Sequence, residues 1–431
     1  MKLSHASRWL VAAVILGSLT GWIVTGVVTY TRLAYLGIVL AGGAIIWTKL
    51  SMNGIRLKRE TRSLRASMGE VFEEHYEIKK EKWPGCSWLE VLNESPLPNA
   101  AGSRLLTRVE AHQVRYYSAR TLLTRRGAYL LGPTILTCGD PFGLFTMRKV
   151  VAAKDSLVIL PMTFPISIFP PPPGLLPGGK AIRQRTFDMT PNAAEVREYV
   201  PGDAMKRIHW PSTAHRGQLM VKEFEQDPQA DIWIFLDAYR LVHFSLSELT
   251  ISHQIDNMWL RLPKVHLSKD TFEYAISVAA SLARFFLMNR RAVGLACSAG
   301  NFFVVSCERG ERQINKIMET LAFIKPEGLI PLFDLVNIQA KLLPVGSGVI
   351  LITTSDHPDL ILALEDLRRR NLRPVVILIK SETFGGRGET EEIVASLQSR
   401  NIPICQVGFG DDLGAQLALP ATYLQKFHVS K

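Results

Sequence analysis

Cysteine is scarce and poorly placed for chemistry: Cys86, Cys138, Cys297, Cys307 and Cys405 lie far apart, are odd in number and form no Cys-x-x-Cys spacing. That excludes a disulfide framework and a thiolate zinc site, and unpaired thiols suit a reducing compartment. Glycine and proline, 31 and 24 of 431 residues, are too few for a collagen-like or low-complexity chain. Catalytic signatures are missing as well. No His-Glu-x-x-His or Gly-x-Ser-x-Gly occurs, so zinc-protease and hydrolase-elbow chemistry find no support. Gly385-Gly-Arg-Gly388 lacks the Lys-Ser/Thr of a phosphate loop, and Gly408-Phe-Gly-Asp-Asp-Leu-Gly414 misses the dinucleotide fingerprint by one residue. Both read as loops, and nothing calls for a cofactor.

The apolar fraction of 47% and charged fraction of 21% support packed cores, and the length supports two or three domains. The net charge of +11 is unevenly spread. Residues 1–65 hold nine basic residues against Glu60 alone, so only three of the eleven net charges remain for the other 366 residues. A basic excess beside apolar segments fits a membrane surface better than a groove tracking phosphates, and no nucleic acid is expected as a partner.

Trp9 to Thr31 carries no formal charge over 23 residues, and Leu33 to Thr48 carries none over 16 before Lys49. At about 1.5 Å per residue the first spans the ~30 Å hydrocarbon core, and the second does so with Lys49 snorkelling and Trp47 at the interface. Thr29-Tyr30-Thr31-Arg32 is the only polar break, so the turn is expected there. No small-x-small site follows the first run, and a second run comes at once, which argues for a retained two-span anchor over a cleaved signal peptide. Lys2 and Arg8 precede the first span and six basic residues from Lys49 to Arg65 follow the second. The positive-inside rule then places both ends, and all that follows, in the cytoplasm at the plasma (inner) membrane.

The pattern divides the chain into a membrane hairpin (1–50), a basic juxtamembrane segment (51–70), a small β-sandwich (71–170), a linker with a dense motif (171–230) and an α/β domain (231–431). Strand signals at Phe72–Ile78, Trp88–Leu92, Val109–Tyr117 and Ala119–Thr124 are separated by breakers such as Trp83-Pro84-Gly85. The proline run from Pro170 to Pro173 makes a stiff linker. From Asp231 on, continuous apolar strands alternate with amphipathic helices, which means an open, mostly parallel sheet. Residues 241–268 interrupt it as an unassigned insertion.

The dense motif is Glu195-Val-Arg-Glu-Tyr-Val-Pro-Gly-Asp-Ala-Met-Lys-Arg-Ile-His-Trp210, continuing to Leu219-Met-Val-Lys-Glu-Phe-Glu225. A second block is Thr124-Arg-Arg-Gly-Ala-Tyr-Leu-Leu-Gly-Pro133, followed by Asp140-Pro-Phe-Gly-Leu-Phe145. In these blocks the chain resembles the bacterial family called domain of unknown function 58. Pro211 and His215 depart from its pattern, with Arg216 one place beyond the usual Arg. The resemblance implies a membrane-anchored module ending in a von Willebrand factor type A-like domain. It also implies partnership with a MoxR-type AAA+ ATPase, and in some cases with a transglutaminase-like membrane protein. It implies no reaction.

Read from its residues, Pro201-Gly202-Asp203 is a turn, with Asp203 capping a helix from Ala204 to His209. Arg197, Glu198, Asp203, Arg207, Arg216, Lys222 and Glu223 allow an Arg–carboxylate network, with Tyr199 and Glu225 beside it. Such a network locks the linker across two domains or presents a docking face, the lock being favoured. His209 is expected to pack on Trp210. In a type A fold a cation site would need an Asp-x-Ser-x-Ser run, but Asp237-Ala-Tyr239-Arg-Leu241 stands there. Asp237, Thr354 and Asp356 make a degenerate site, and Asp237 is expected to cap a helix or pair with Arg240. These features predict a non-enzymatic membrane adaptor or scaffold. The competing class is an envelope hydrolase or transferase using His209, Asp203 or Glu198.

Overall fold

Two apolar helices lead the chain, α1 (Ser4–Thr25) and α2 (Val28–Met52). The computed structural model describes residues 4–169, 193–200, 205, 208–224, 231–246, 266–386, 388 and 390–418; the expected linker from residue 170 lies outside them. The turn falls at Gly26-Val27 rather than at Thr29–Arg32, which form the first turns of α2. Threonine does not need water to end a helix here. The Thr31 hydroxyl donates to Val28 O at 2.6 Å and that of Thr25 to Gly21 O at 2.6 Å, so both are satisfied along the helix. Gly26, at φ 67°, adopts the left-handed conformation that stops α1. The shift makes α2 the longer helix. Its 25 residues rise about 37 Å, long and apolar enough to cross a bilayer, while the apolar part of α1 is Trp9–Thr25.

The expected basic tail is already part of a β-body. Strands β1 (Ile55–Thr61), β2 (Arg65–Ser67), β3 (Val71–Lys80), β4 (Cys86–Asn93), β5 (Arg104–Val109), β6 (Val114–Leu122), β7 (Gly127–Leu130), β8 (Thr134–Gly139), β9 (Thr146–Val151) and β10 (Ser156–Leu160) follow in order. They form antiparallel sheets β1-β3-β6 and β5-β4-β8-β9, and a mixed sheet β2-β10-β7. The two antiparallel sheets share one apolar cluster, with Ile55, Tyr76, Ile78 and Tyr117 from one and Leu89, Val91, Leu136 and Cys138 from the other. Met52, the last residue of α2, belongs to the same cluster. The run read as a strand over Val109–Tyr117 is split by a turn at 110–113, where His112 has φ 60°.

β3 alternates as a half-buried strand should, but two charges occupy its inner face, Glu74 and Lys80, both wholly buried. Glu74 accepts from Arg59 Nε at 2.8 Å and from the Tyr76 hydroxyl at 3.3 Å. Burial pushes its carboxyl above the usual range, and Arg59 opposes that.

The second unit begins at Thr163 and carries a six-stranded sheet. The elements after residue 163 are β11 (Ala193–Glu198), α3 (Trp210–Arg216), β12 (Met220–Phe224), β13 (Ile232–Leu236), α4 (Thr271–Met288), β14 (Val293–Ala299), β15 (Asn301–Glu308), α5 (Glu311–Phe323), α6 (Leu332–Gln339), β16 (Gly348–Thr353), α7 (Asp359–Arg369), β17 (Arg373–Ile379), α8 (Thr390–Ser399), β18 (Ile404–Val407) and α9 (Leu413–Leu417), all of them in the second unit except α5 from Met318 on. The sheet order is β15-β14-β13-β16-β17-β18, parallel except for the antiparallel edge strand β15. β13, β16 and β17 are apolar throughout their centres because helices cover both faces of such a sheet. The α4 helix is also apolar and long enough to cross a bilayer, yet fourteen of its residues are buried and it packs on β13, β14, β16 and β17. It is a core helix, begun by the Asp270 carboxylate accepting from Phe272 N at 2.7 Å. The insertion's described ends are pinned together, Leu246 N donating to Lys269 O at 2.9 Å.

Candidate functional site

The dense motif folds as a ribbon closed by a short helix. β11 and β12 pair antiparallel, with Glu198 opposite Met220, Arg197 opposite Val221, Val196 opposite Lys222 and Glu195 opposite Glu223. Tyr199 N donates to Leu219 O at 2.8 Å, which extends the ribbon by one rung. Ile208 bridges to Val221, and His209 N donates to Met220 O at 2.8 Å. Ile208, Met220 and Val221 are buried and make the module's small apolar seam.

Of the helix expected over Ala204–His209, residues 204, 206 and 207 lie outside the described residues; the described helix starts at Trp210, with Pro211 in its first turn, where the missing N–H costs nothing. Gly217 ends it at φ 68°. Trp210 is 65% exposed, and His209 does not rest on it. Instead the His209 Nδ1 and Ser212 Oγ lie 2.7 Å apart, a local bond between the residue that starts the helix and its first turn. His215 and Arg216 are exposed in the last turn, beside the carbonyl end of the helix dipole. Gly202, Asp203, Arg207 and Glu225 lie outside the described residues.

At the carboxyl ends of the central strands, Asp237 follows β13 and is 2% exposed. It neither caps a helix nor pairs with Arg240. Its Oδ1 accepts from Tyr239 N at 3.0 Å and its Oδ2 from the Thr353 hydroxyl at 2.6 Å. Burial raises its carboxyl to about 6, against the pull of those two donors. His243, from the start of the insertion, sets Nε2 3.1 Å from Asp237 O and Nδ1 3.2 Å from the Thr271 hydroxyl. Burial holds this imidazole down at about 4, so it is neutral at physiological pH.

The degenerate cation set does not converge. Thr354 turns its hydroxyl to Val242 O at 2.6 Å, Leu241 is 65% exposed and offers no oxygen ligand, and Asp356 is exposed. Among the described residues no group of three or more His, Cys, Asp or Glu side chains is placed to hold an ion. The arrangement is a closed turn, with Thr353 and His243 as the partners that spacing alone did not indicate.

Near β17 and β18 lies an open groove of about 770 Å³ whose lining includes Lys380, Glu382, Thr390, Glu391 and Gln406. Burial favours a neutral Glu382, but the hydroxyl and N–H of Thr390 hold its carboxyl below the ordinary range. Glu382, Glu391 and Glu392 beside Lys380 give this groove no single-sign ligand.

Two further residues matter at the base of α2: Lys80, which the sequence did not single out, and Asp140, which opens the last block of the resemblance. Lys80 reaches from the end of β3 to donate to Leu50 O at 3.2 Å, Ser51 O at 2.7 Å and Asn53 O at 2.6 Å. It satisfies carbonyls that the end of a helix leaves unpaired. Asp140, wholly buried, accepts from Phe142 N at 2.8 Å, Leu144 N at 3.3 Å and Phe145 N at 2.6 Å. Replacing Asp140 by alanine removes the carboxylate that accepts from three inward N–H groups and is expected to cost about 3 kcal/mol, read as a lower unfolding midpoint of the full chain in detergent. A change no larger than an exposed substitution gives would refute that role.

Residues 195–254 match the family described as "Protein of unknown function DUF58", a stretch that takes in most of β11 and all of α3, β12 and β13. The chain is 23% identical over 211 residues to "Uncharacterized protein YeaD" of Bacillus subtilis (strain 168), covering 48% of this chain. The match spans 45% of that relative, about half its length. Among solved structures, proximal thread matrix protein 1 (PTMP1) from the mussel byssus matches at 12% identity over 44% of this chain and 46% of that one, with a TM-score of 0.29. That score is too low to support a shared fold.

Proposed function

We propose that the chain is a membrane-anchored, non-enzymatic adaptor whose α1–α2 hairpin crosses the plasma membrane with both ends in the cytoplasm. Its second unit then serves as a von Willebrand factor type A-like recognition domain. The strand order with one antiparallel edge, and an aspartate ending the central strand β13, support the type A-like assignment. A MoxR-type AAA+ ATPase is the proposed partner, with a transglutaminase-like membrane protein as a further one. Confinement to the membrane raises the local concentration of whatever is held and lets an ATPase act on envelope components.

The observation that carries the adaptor reading is the engagement of Asp237 by the chain itself, one carboxylate oxygen accepting from Tyr239 N and the other from the Thr353 hydroxyl at a position only 2% exposed. His209 likewise spends its Nδ1 on Ser212 within the motif. The test is co-purification of the detergent-solubilised full chain with a MoxR-type ATPase of the same genome. Recovery is expected to fall when Arg197 and Arg207 are both replaced by alanine. Unaltered recovery would remove the docking role of the motif, and no recovery with the unmodified chain would remove the partner.

A further inference from the structure

We propose that two loops of the β-body, carrying Trp83 and Phe142, insert into the interfacial layer of the bilayer beside the end of α2, so that the body rests directly on the lipid surface. This rests on the reading of α1 and α2 as a membrane hairpin and deepens it by assigning a lipid-contacting face.

The placement comes from three contacts with the last turns of α2. Ser51 Oγ donates to Gly85 O at 3.1 Å, which fixes the loop 81–85 against the helix. Thr48 Oγ1 donates to Phe145 O at 3.4 Å, which fixes the loop 140–145. The rings of Trp47 and Trp83 meet edge to face with centroids 6.3 Å apart. One helical turn rises about 5.4 Å, so both loops sit within a turn of Thr48-Lys49, where the apolar run ends and the interface must lie.

At that level the chemistry is unusual for a water-facing surface. Trp83 is 72% exposed and Phe142 is 68% exposed, although each loop is otherwise anchored inward. Asp140 gathers three backbone N–H groups beneath its loop, a framework that turns Phe142 outward at the tip. Lys49 and Lys82 are exposed on the same segments and suit lipid phosphates. Tryptophan and phenylalanine gain free energy at the headgroup boundary, and neighbouring lysines add attraction to anionic lipid. Scattered surface aromatics need no explanation, but two on loops hydrogen-bonded to the end of one apolar helix have a shared one.

The experiment places a nitroxide at Trp83→Cys, Phe142→Cys, Val39→Cys and Glu94→Cys in turn, in the full chain carrying Cys307→Ser. The chain is reconstituted in vesicles of phosphatidylcholine and phosphatidylglycerol. Val39, 70% exposed in the middle of α2, reports whether that helix lies in lipid. Glu94 follows the far end of β4, about 25 Å from Gly85, and serves as the water-facing control. Collision with oxygen relative to a water-soluble nickel chelate is then measured. The expected result is a ratio at 83 and 142 severalfold above that at 94 and approaching that at 39. Labels at 83 or 142 as accessible to nickel as 94, with 39 shielded, would overturn the insertion and leave the anchor standing. A nickel-accessible label at 39 would overturn the anchor itself.

Discussion

Replacing Lys80 by methionine is expected to destabilise the full chain in detergent by about 3 kcal/mol, and to loosen α2 from the β-body at the same time. The side chain is wholly buried, and its ammonium donates to three carbonyls at the end of α2. Methionine keeps most of the volume but donates nothing, so Leu50 O and Asn53 O lose this donor and Ser51 O keeps only the Cys86 thiol at 3.2 Å. The lost cation also faced the negative end of the helix dipole. Burial already lowers the proton affinity of Lys80, against the opposing influence of Cys86 and Cys138. Faster cleavage by a protease near Asn53 should accompany the loss, because the helix end and β1 would no longer be tied. An unfolding midpoint unchanged by Lys80→Met would mean that Met52 and the apolar cluster hold the helix without the ammonium.

The second large effect concerns pH. Asp237 titrates near 6 in the folded chain against 3.8 for the free group, so the folded state binds this proton more tightly. Its contribution is complete below about pH 4 and is lost as pH rises through 6, a decline of about 3 kcal/mol. His243 titrates near 4 against 6.5, so the unfolded state binds its proton more tightly. Its contribution is complete above about pH 6.5 and is lost as pH falls through 4, again by about 3 kcal/mol. The two slopes oppose each other over the same window and nearly cancel. Asp237→Asn removes the first alone. The stability of this variant relative to the unmodified chain should therefore rise by about 3 kcal/mol between pH 4 and 6.5, and His243→Gln should produce the opposite slope. Parallel pH profiles for all three proteins would show that neither group is held as described.

Much of this architecture was legible because burial imposes a period. The strands Gly348–Thr353 and Arg373–Ile379 are such runs, since continuous apolar stretches between polar breaks have one use in a parallel sheet. The sequence offers Thr271 or Asp270 as the cap of α4, and Asp270 is the one that accepts from Phe272 N. The hairpin turn was not, because Thr29–Arg32 looks polar by composition while its hydroxyls can bond within the helix and Gly26 supplies the one conformation that ends α1. The β1 strand hid behind its charges, since Arg56, Lys58 and Glu60 occupy the outward positions of an alternating strand. At the candidate site Asp237 was visible from the sequence, but its partners came from distant segments. Thr353, rather than Thr354, faces it because side chains alternate along β16, and His243 arrives through the insertion. Lys80 was invisible as a functional group, since a lysine at a strand end is ordinary until the carbonyls around it are placed, and Asp140 stood in a block of the resemblance whose amides the sequence alone does not place.

The central claim is that the hairpin crosses the membrane and leaves the folded body on the inner side. It is tested most directly with a membrane-impermeant maleimide on intact bacterial cells expressing Val27→Cys or Ser399→Cys. Val27 lies in the turn between α1 and α2, and Ser399 is exposed at the end of α8. Labelling at position 27 in intact cells, with position 399 labelled only after lysis, is the predicted result. Labelling of both before lysis, or of position 27 only after it, would contradict the account.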